Sequence, residues 1–183
     1  IKKTVTQHSK IKDLDFSNIP PFGHAFTDHM FIADYLEEGW TNLEIKPVEN
    51  LSMHPANLTL HYGQSIFEGM KAFLTGDNIA VFYRPYDHAS RFNRSAYRMS
   101  MPEVPEELFV QAVKELCLTE KNWIPEQPGS ALYIRPFMIA YDSVIGVKRS
   151  KTYKFINLTS PSGPYYNKPL SLKAELEYVR AIK

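Results

Sequence analysis

The sequence lacks most of the features that assign a function at sight. Among its 183 residues there is one cysteine, Cys117. A lone cysteine cannot close an internal disulfide, which fits a reducing compartment. No long uninterrupted apolar run occurs, so no segment reads as a transmembrane helix. The first residues, IKKTVTQHSKIKDLDF, are basic but carry no apolar signal core, and the expected location is cytoplasmic. Charge of one sign is also missing: 21 basic against 20 acidic side chains leave a net +1. Such a balance offers no field for nucleic acid or for an acidic membrane surface.

Motifs are missing as well. There is no CxxC, HExxH or DxDxDG, and the six histidines are scattered without ligand spacing, so no metal site is expected. The absence of GxGxxG and GxxxxGK[ST] removes support for a classical nucleotide fold. No GxSxG elbow is present.

What the chain does have is aromatic surface, 13% of residues and mostly Tyr and Phe. Such side chains build a core or line a pocket for an apolar or planar ligand. Residues 1–21 read as an irregular lead-in ending in Pro20-Pro21. HAFTDHMFIADYLEEGW and LEIKPVENLSM read as a hairpin, and GMKAFLT and IAVFYR as a second one around Gly76-Asp77-Asn78. Alternation puts Met70, Ala72 and Leu74 on one face and Lys71 and Phe73 on the other. A helix follows Pro85, with Asp87 as its cap and Phe92, Ala96 and Met99 at helical spacing. A second opens at Pro105 and buries Phe109, Ala112, Val113 and Leu116. SALYIRPFMIAY and TYKFINLTS read as strands separated by the loop DSVIGVKRSK. Hairpins rather than βαβ units predict an α+β domain, an antiparallel sheet with helices on one side. PSGPYYNKP (161–169) is the best domain boundary: the domain spans residues 1–162, a loop 163–171, and 172–183 begins something new.

Some residues stand out. Arg91, Arg94 and Arg98 share one helix flank, either as a solvated basic face or with one of them gripping a phosphate. Tyr133 and Arg135 share one strand face, where an arginine needs a partner for its charge. A structural salt bridge and a functional role are equally open. Tyr165 and Tyr166 either cover the sheet edge or wall a pocket. Phe22 and Phe67, taken singly, read as core aromatics.

Taken together, FGHAFTDHM (22–30), LHYGQSIFEGMKAF (60–73), Arg84-Pro85 with His88, Arg91, Phe92, Ser95 and Ala96, ALYIRPF (131–137), Gly146-Val147, PSGPYY (161–166) and EYVRAIK (177–183) resemble branched-chain amino acid aminotransferases. These are fold-type-IV pyridoxal-phosphate enzymes. The resemblance implies the small N-terminal domain of such an enzyme and the start of the large one. It implies the cofactor pyridoxal 5'-phosphate, with Arg91 on its phosphate. It implies that Arg135 meets the side-chain carboxylate of glutamate or 2-oxoglutarate beside Tyr133. Phe22, Tyr62, Phe67 and Tyr165 become aromatic walls around Leu, Ile or Val, and glutamate and the 2-oxo acids complete the set of substrates. Ile145 and Val147 lie in a loop that reaches a neighbouring subunit, hence a homodimer. The Schiff-base lysine of the family falls beyond Lys183, so the chain alone is expected to be inactive, and Lys71 is left a structural or solvated part. Related readings are a D-amino acid aminotransferase, an aminodeoxychorismate lyase, or a non-catalytic domain derived from the family.

Overall fold

A computed structural model describes residues 1–37, 39–166 and 168–179. Glu38, Asn167 and residues 180–183 lie outside the described residues, and with them the end of EYVRAIK and Lys183. The strands are β1 (Lys2–Lys3), β2 (His29–Leu36), β3 (Gly39–Pro47), β4 (Ser65–Phe67), β5 (Met70–Leu74), β6 (Ala80–Phe82), β7 (Ala131–Ala140) and β8 (Tyr153–Ser162). The helices are α1 (Leu58–Tyr62), α2 (Pro85–Arg98) and α3 (Glu106–Thr119).

All eight strands form one sheet in the order β1-β3-β2-β8-β7-β5-β6, with β4 also on β7. Among the described residues every strand pairing is antiparallel except β1 on β3, which is parallel. The lead-in is therefore not wholly irregular. Its first residues extend the sheet, and Ser9 and the Lys10 amide bond the Asp28 carboxylate. Further along, the backbone N–H of Thr6 donates to His29 Nε2 at 2.9 Å, so the ring carries its proton on Nδ1 and donates it to buried Glu120.

The strands β4 and β5 pair with β7 in one unbroken register, Phe67 opposite Phe137 and Met70 opposite Ile134. They are one line of chain interrupted at Glu68-Gly69. Period-two alternation then sorts the sheet into two faces. On one, Phe31, Ala33, Met70, Ala72, Leu132, Ile134, Met138, Tyr153 and Phe155 pack with Phe92 of α2 and Phe109 of α3. Burying that apolar surface, at about 25 cal/mol per Å², is what fixes the helices to this face. Among the described residues the other face carries no helix.

Two details of α2 differ from the sequence reading. Pro85 is its first residue and Arg84, in the left-handed region at φ 49°, takes the N-cap position. Asp87 is not the cap but lies in the first turn, paired with Arg84. Proline tolerates the first helical position because it has no N–H to leave unbonded, so the helix starts earlier than a cap at Asp87 requires. Met99 sits at the C-cap and is exposed, whereas Met101 is buried in the core. The short α1 has no counterpart in the sequence reading. It is closed by the Asn57 side chain, which accepts from the Thr59 amide at 2.8 Å, and by Gly63 at φ 62°. Five residues are too few to show a helical period.

Candidate functional site

The helix-free face of β7 presents Tyr133, Arg135 and Phe137 in alternation. Arg135 lies with its guanidinium carbon 4.4 Å from the centre of the Phe67 ring and 5.3 Å from that of Tyr133. Its Nε donates to the Tyr133 hydroxyl at 3.1 Å. Tyr133 meets the edge of Phe22 at 4.8 Å between ring centres, and Phe22 meets Tyr165 at 6.0 Å. Tyr165, Phe22, Tyr133, Arg135 and Phe67 thus form one continuous row. Chain segments far apart in sequence supply it: the turn before β2, β4, β7 and the segment after β8.

Arginine on an apolar face costs free energy unless its charge is answered. Here two ring faces and a hydroxyl answer it in part. No carboxylate among the described residues pairs with Arg135, contrary to a structural salt bridge. The site therefore combines apolar walls with a cation whose remaining N–H groups are uncommitted among the described residues. That combination can hold an aliphatic chain and, at one end, a carboxylate.

The interruption at Glu68-Gly69 joins this row to the helix side. Gly69 lies against Tyr133, and a Cβ there would come within 2.5 Å of the tyrosine hydroxyl. One residue earlier, the alternation turns Glu68 towards α2. Its carboxylate accepts from Arg91 Nε at 2.6 Å, from Arg91 Nη2, and from the Gly69 amide at 2.7 Å. His88 Nδ1 lies 3.5 Å away. Burial opposes ionisation of Glu68, but the hydrogen bonds from Arg91 and Gly69 outweigh it and hold the carboxyl below its usual range. In turn, hydrogen bonding to Glu68 and its charge push Arg91 further up. The Arg91 side chain is 58% exposed at its rim, beside a depression lined by Tyr83, Arg84, Asp87, His88 and Arg94. Of the three flank arginines, Arg91 alone grips a buried carboxylate among the described residues; Arg94 makes a long contact to Ser90 at 3.5 Å.

The remaining expected residues form a separate group. Tyr62 ends α1 and its hydroxyl donates to the Ile145 carbonyl. Val147 stands close by in a depression with Leu58, Tyr62, Gln64 and Met99. The 142–151 loop is drawn over α1 by the Leu58 amide bonding the Asp142 carbonyl at 3.2 Å and by the bridge from Asn57 to Ser143. Ile145 and Val147 remain largely exposed. Tyr62 is not part of the ring row, although the sequence reading groups it with Phe22, Phe67 and Tyr165. Lys71 lies on the helix-free face opposite Tyr133 and is exposed.

Sequence reasoning missed Glu68. A signal was available: a carboxylate between buried Ile66 and Met70, just before a glycine, has to find a cation or stay neutral.

No family model matches the chain. Among curated proteins it is similar to branched-chain-amino-acid aminotransferase 2 of Bacillus subtilis, 43% identical over 166 residues, 88% of this chain and 46% of the relative. It is 45% identical to branched-chain-amino-acid transaminase 1 of the same species, over 88% of this chain and 47% of that protein. The chain therefore spans just under half the length of the curated relatives it matches. Its fold is similar to that of a branched-chain aminotransferase from Thermoproteus uzoniensis crystallised with norvaline, at TM-score 0.58 and 23% identity, over 76% of this chain and 43% of that one. It is also similar to a solved T.th. branched-chain amino acid aminotransferase with pyridoxamine 5'-phosphate, at TM-score 0.55 and 23% identity, over 75% and 41% of the two chains.

Proposed function

We propose that this chain, 43% and 45% identical to two branched-chain aminotransferases over the region matched, is the substrate-recognising part of such an enzyme. The whole protein transfers the amino group between Leu, Ile or Val and 2-oxoglutarate, with pyridoxal 5'-phosphate as cofactor. When bound, the cofactor supplies the carbonyl that takes up and returns the amino group.

The observation that carries this reading is the uncommitted Arg135 at one end of an aromatic row. Ping-pong transfer needs one pocket for two unlike side chains. Phe22, Phe67 and Tyr165 offer apolar area to a branched aliphatic chain. Arg135 offers its free N–H groups to the distal carboxylate of glutamate, where a planar fork can bind both oxygens. Tyr133 keeps the guanidinium in register by accepting from Nε. The residues around Arg91 suit a phosphate: Glu68 takes one edge of the guanidinium and leaves the other open, and Arg94 adds positive charge nearby, while the charge of Arg84 is answered by Asp87. The exposure of Ile145 and Val147 supports a homodimer in which this loop completes a second copy's site, with Tyr62 bracing it. A cytoplasmic location accords with the single cysteine.

The test is steady-state kinetics on the full-length protein. Leucine with 2-oxoglutarate should be turned over, whereas D-alanine and aminodeoxychorismate should not. Arg135→Gln should raise KM for 2-oxoglutarate at least about tenfold, the loss of a charge-assisted bond, with a far smaller effect on 2-oxoisocaproate. An equal effect on both acids would remove Arg135 from the role assigned to it.

A further inference from the structure

We infer that Glu68 is a positioning residue for cofactor binding, fixing the Arg91 guanidinium so that its free edge meets the phosphate. This rests on the reading of Arg91 as the phosphate ligand and goes beyond it. Three observations converge on the carboxylate.

The first is burial. Only 5% of the Glu68 side chain is exposed, while 58% of the Arg91 side chain is. A long exposed arginine samples many rotamers, and ordering it on a ligand costs entropy. An anchor on a buried, immobile carboxylate removes that cost beforehand.

The second is geometry. Glu68 takes both Nε and Nη2 of Arg91, the two-point arrangement that fixes the plane of a guanidinium and not only its position. The Nη1 edge is outside that arrangement and stays available to a ligand. A third bond, from the Gly69 amide at 2.7 Å, keeps the carboxylate itself from turning.

The third is place. Glu68 and Gly69 interrupt the strand line formed by β4 and β5, and Gly69 touches Tyr133. The same two residues therefore set the phosphate-binding arginine on one side of the sheet and the substrate-side tyrosine on the other. Their spacing is fixed because the two are neighbours in the chain.

A competing effect has the opposite sign. The charge of Glu68 repels a phosphate dianion, so if repulsion dominated, its removal would tighten binding. The experiment separates the two. Pyridoxal phosphate and pyridoxal, which lacks the phosphate, are titrated into the cofactor-free full-length protein by absorbance, with melting temperatures recorded alongside. Glu68→Gln should raise the Kd for pyridoxal phosphate about tenfold and leave that for pyridoxal unchanged. Glu68→Asp, which keeps the charge but shortens the reach, should fall between. In an Arg91→Ala background, Glu68→Gln should add less than about twofold, since the two act as one unit. Tighter or unchanged binding of pyridoxal phosphate by Glu68→Gln overturns the inference, as does equal weakening of pyridoxal. If Arg91→Ala itself leaves the affinity unchanged, Arg91 is not the phosphate ligand, and it is the functional reading that fails.

Discussion

The Tyr133 hydroxyl occupies the space that a side chain on Gly69 would need, 2.5 Å from where its Cβ would lie. The ring carbons behind that hydroxyl are at 3.2 and 3.3 Å, so the tyrosine cannot yield by moving its tip alone. Gly69→Ala should tilt the whole ring and disturb the bond from Arg135 Nε. The expected outcome is a loss of about 1 kcal/mol in stability together with, on the proposed function, a raised KM for 2-oxoglutarate in the full-length protein. Thermal denaturation and steady-state kinetics measure the two; an unchanged KM would disconnect Gly69 from the substrate side.

Tyr133→Phe keeps the ring against Phe22 and removes only the acceptor of the 3.1 Å bond from Arg135. Such a bond is worth about 1 kcal/mol, so the expected change is a rise of about fivefold in KM for 2-oxoglutarate and a much smaller one for 2-oxoisocaproate. A larger effect on the aliphatic acid would make the tyrosine a wall and not a brace.

Asp28 ties the N-terminal segment to the sheet. It accepts from Ser9, the Lys10 amide at 2.8 Å and Trp123 Nε1 at 3.1 Å. Burial works to raise its pKa, yet these hydrogen bonds prevail and hold it below the ordinary carboxylate value of 3.8. The unfolded chain then binds the proton more readily than the folded one. Stability from Asp28 is present above about pH 4 and is lost as pH falls through the depressed value. Asp28→Asn should lower the melting temperature at about pH 6, and the gap to the parent protein should close below about pH 4. A gap that stays constant from about pH 6 to about pH 3 would show that ionisation of Asp28 is not involved.

Cys117 lies on the buried face of α3, and burial first, then the nearby Glu120 charge, pushes its thiol up to about 12. The thiolate is the reactive form, so at about pH 8 it is scarcely populated. Ellman's reagent should label less than about a tenth of the native protein in the time that labels all of it in denaturant. Rapid labelling of the native form would mean that α3 opens locally.

Much of this molecule is written locally. The alternation in GMKAFLT and ALYIRPFMIAY puts Met70, Ala72 and Leu74 opposite Lys71 and Phe73, and Tyr133 with Arg135, as the sheet has them. Period-two patterns survive folding because burial of one face enforces them. The apolar stripe of α3 is legible for the same reason. Aromatic walls, the paired Tyr and Arg, and the likeness to the aminotransferases can all be stated from residue order.

Contacts between distant segments cannot. The Asp87 cap gives way to Pro85 because a helix start is a competition among neighbours whose outcome depends on the turn before it. Tyr62 leaves the aromatic row for Ile145 because the 142–151 loop folds over α1, which no short-range signal encodes. Glu68 and Arg91 stand 23 residues apart in sequence, and their union depends on α2 packing on the sheet. Sequence periodicity decides which way a side chain points; which partner it meets there is decided by the tertiary structure, because only packing brings separate elements within hydrogen-bonding reach.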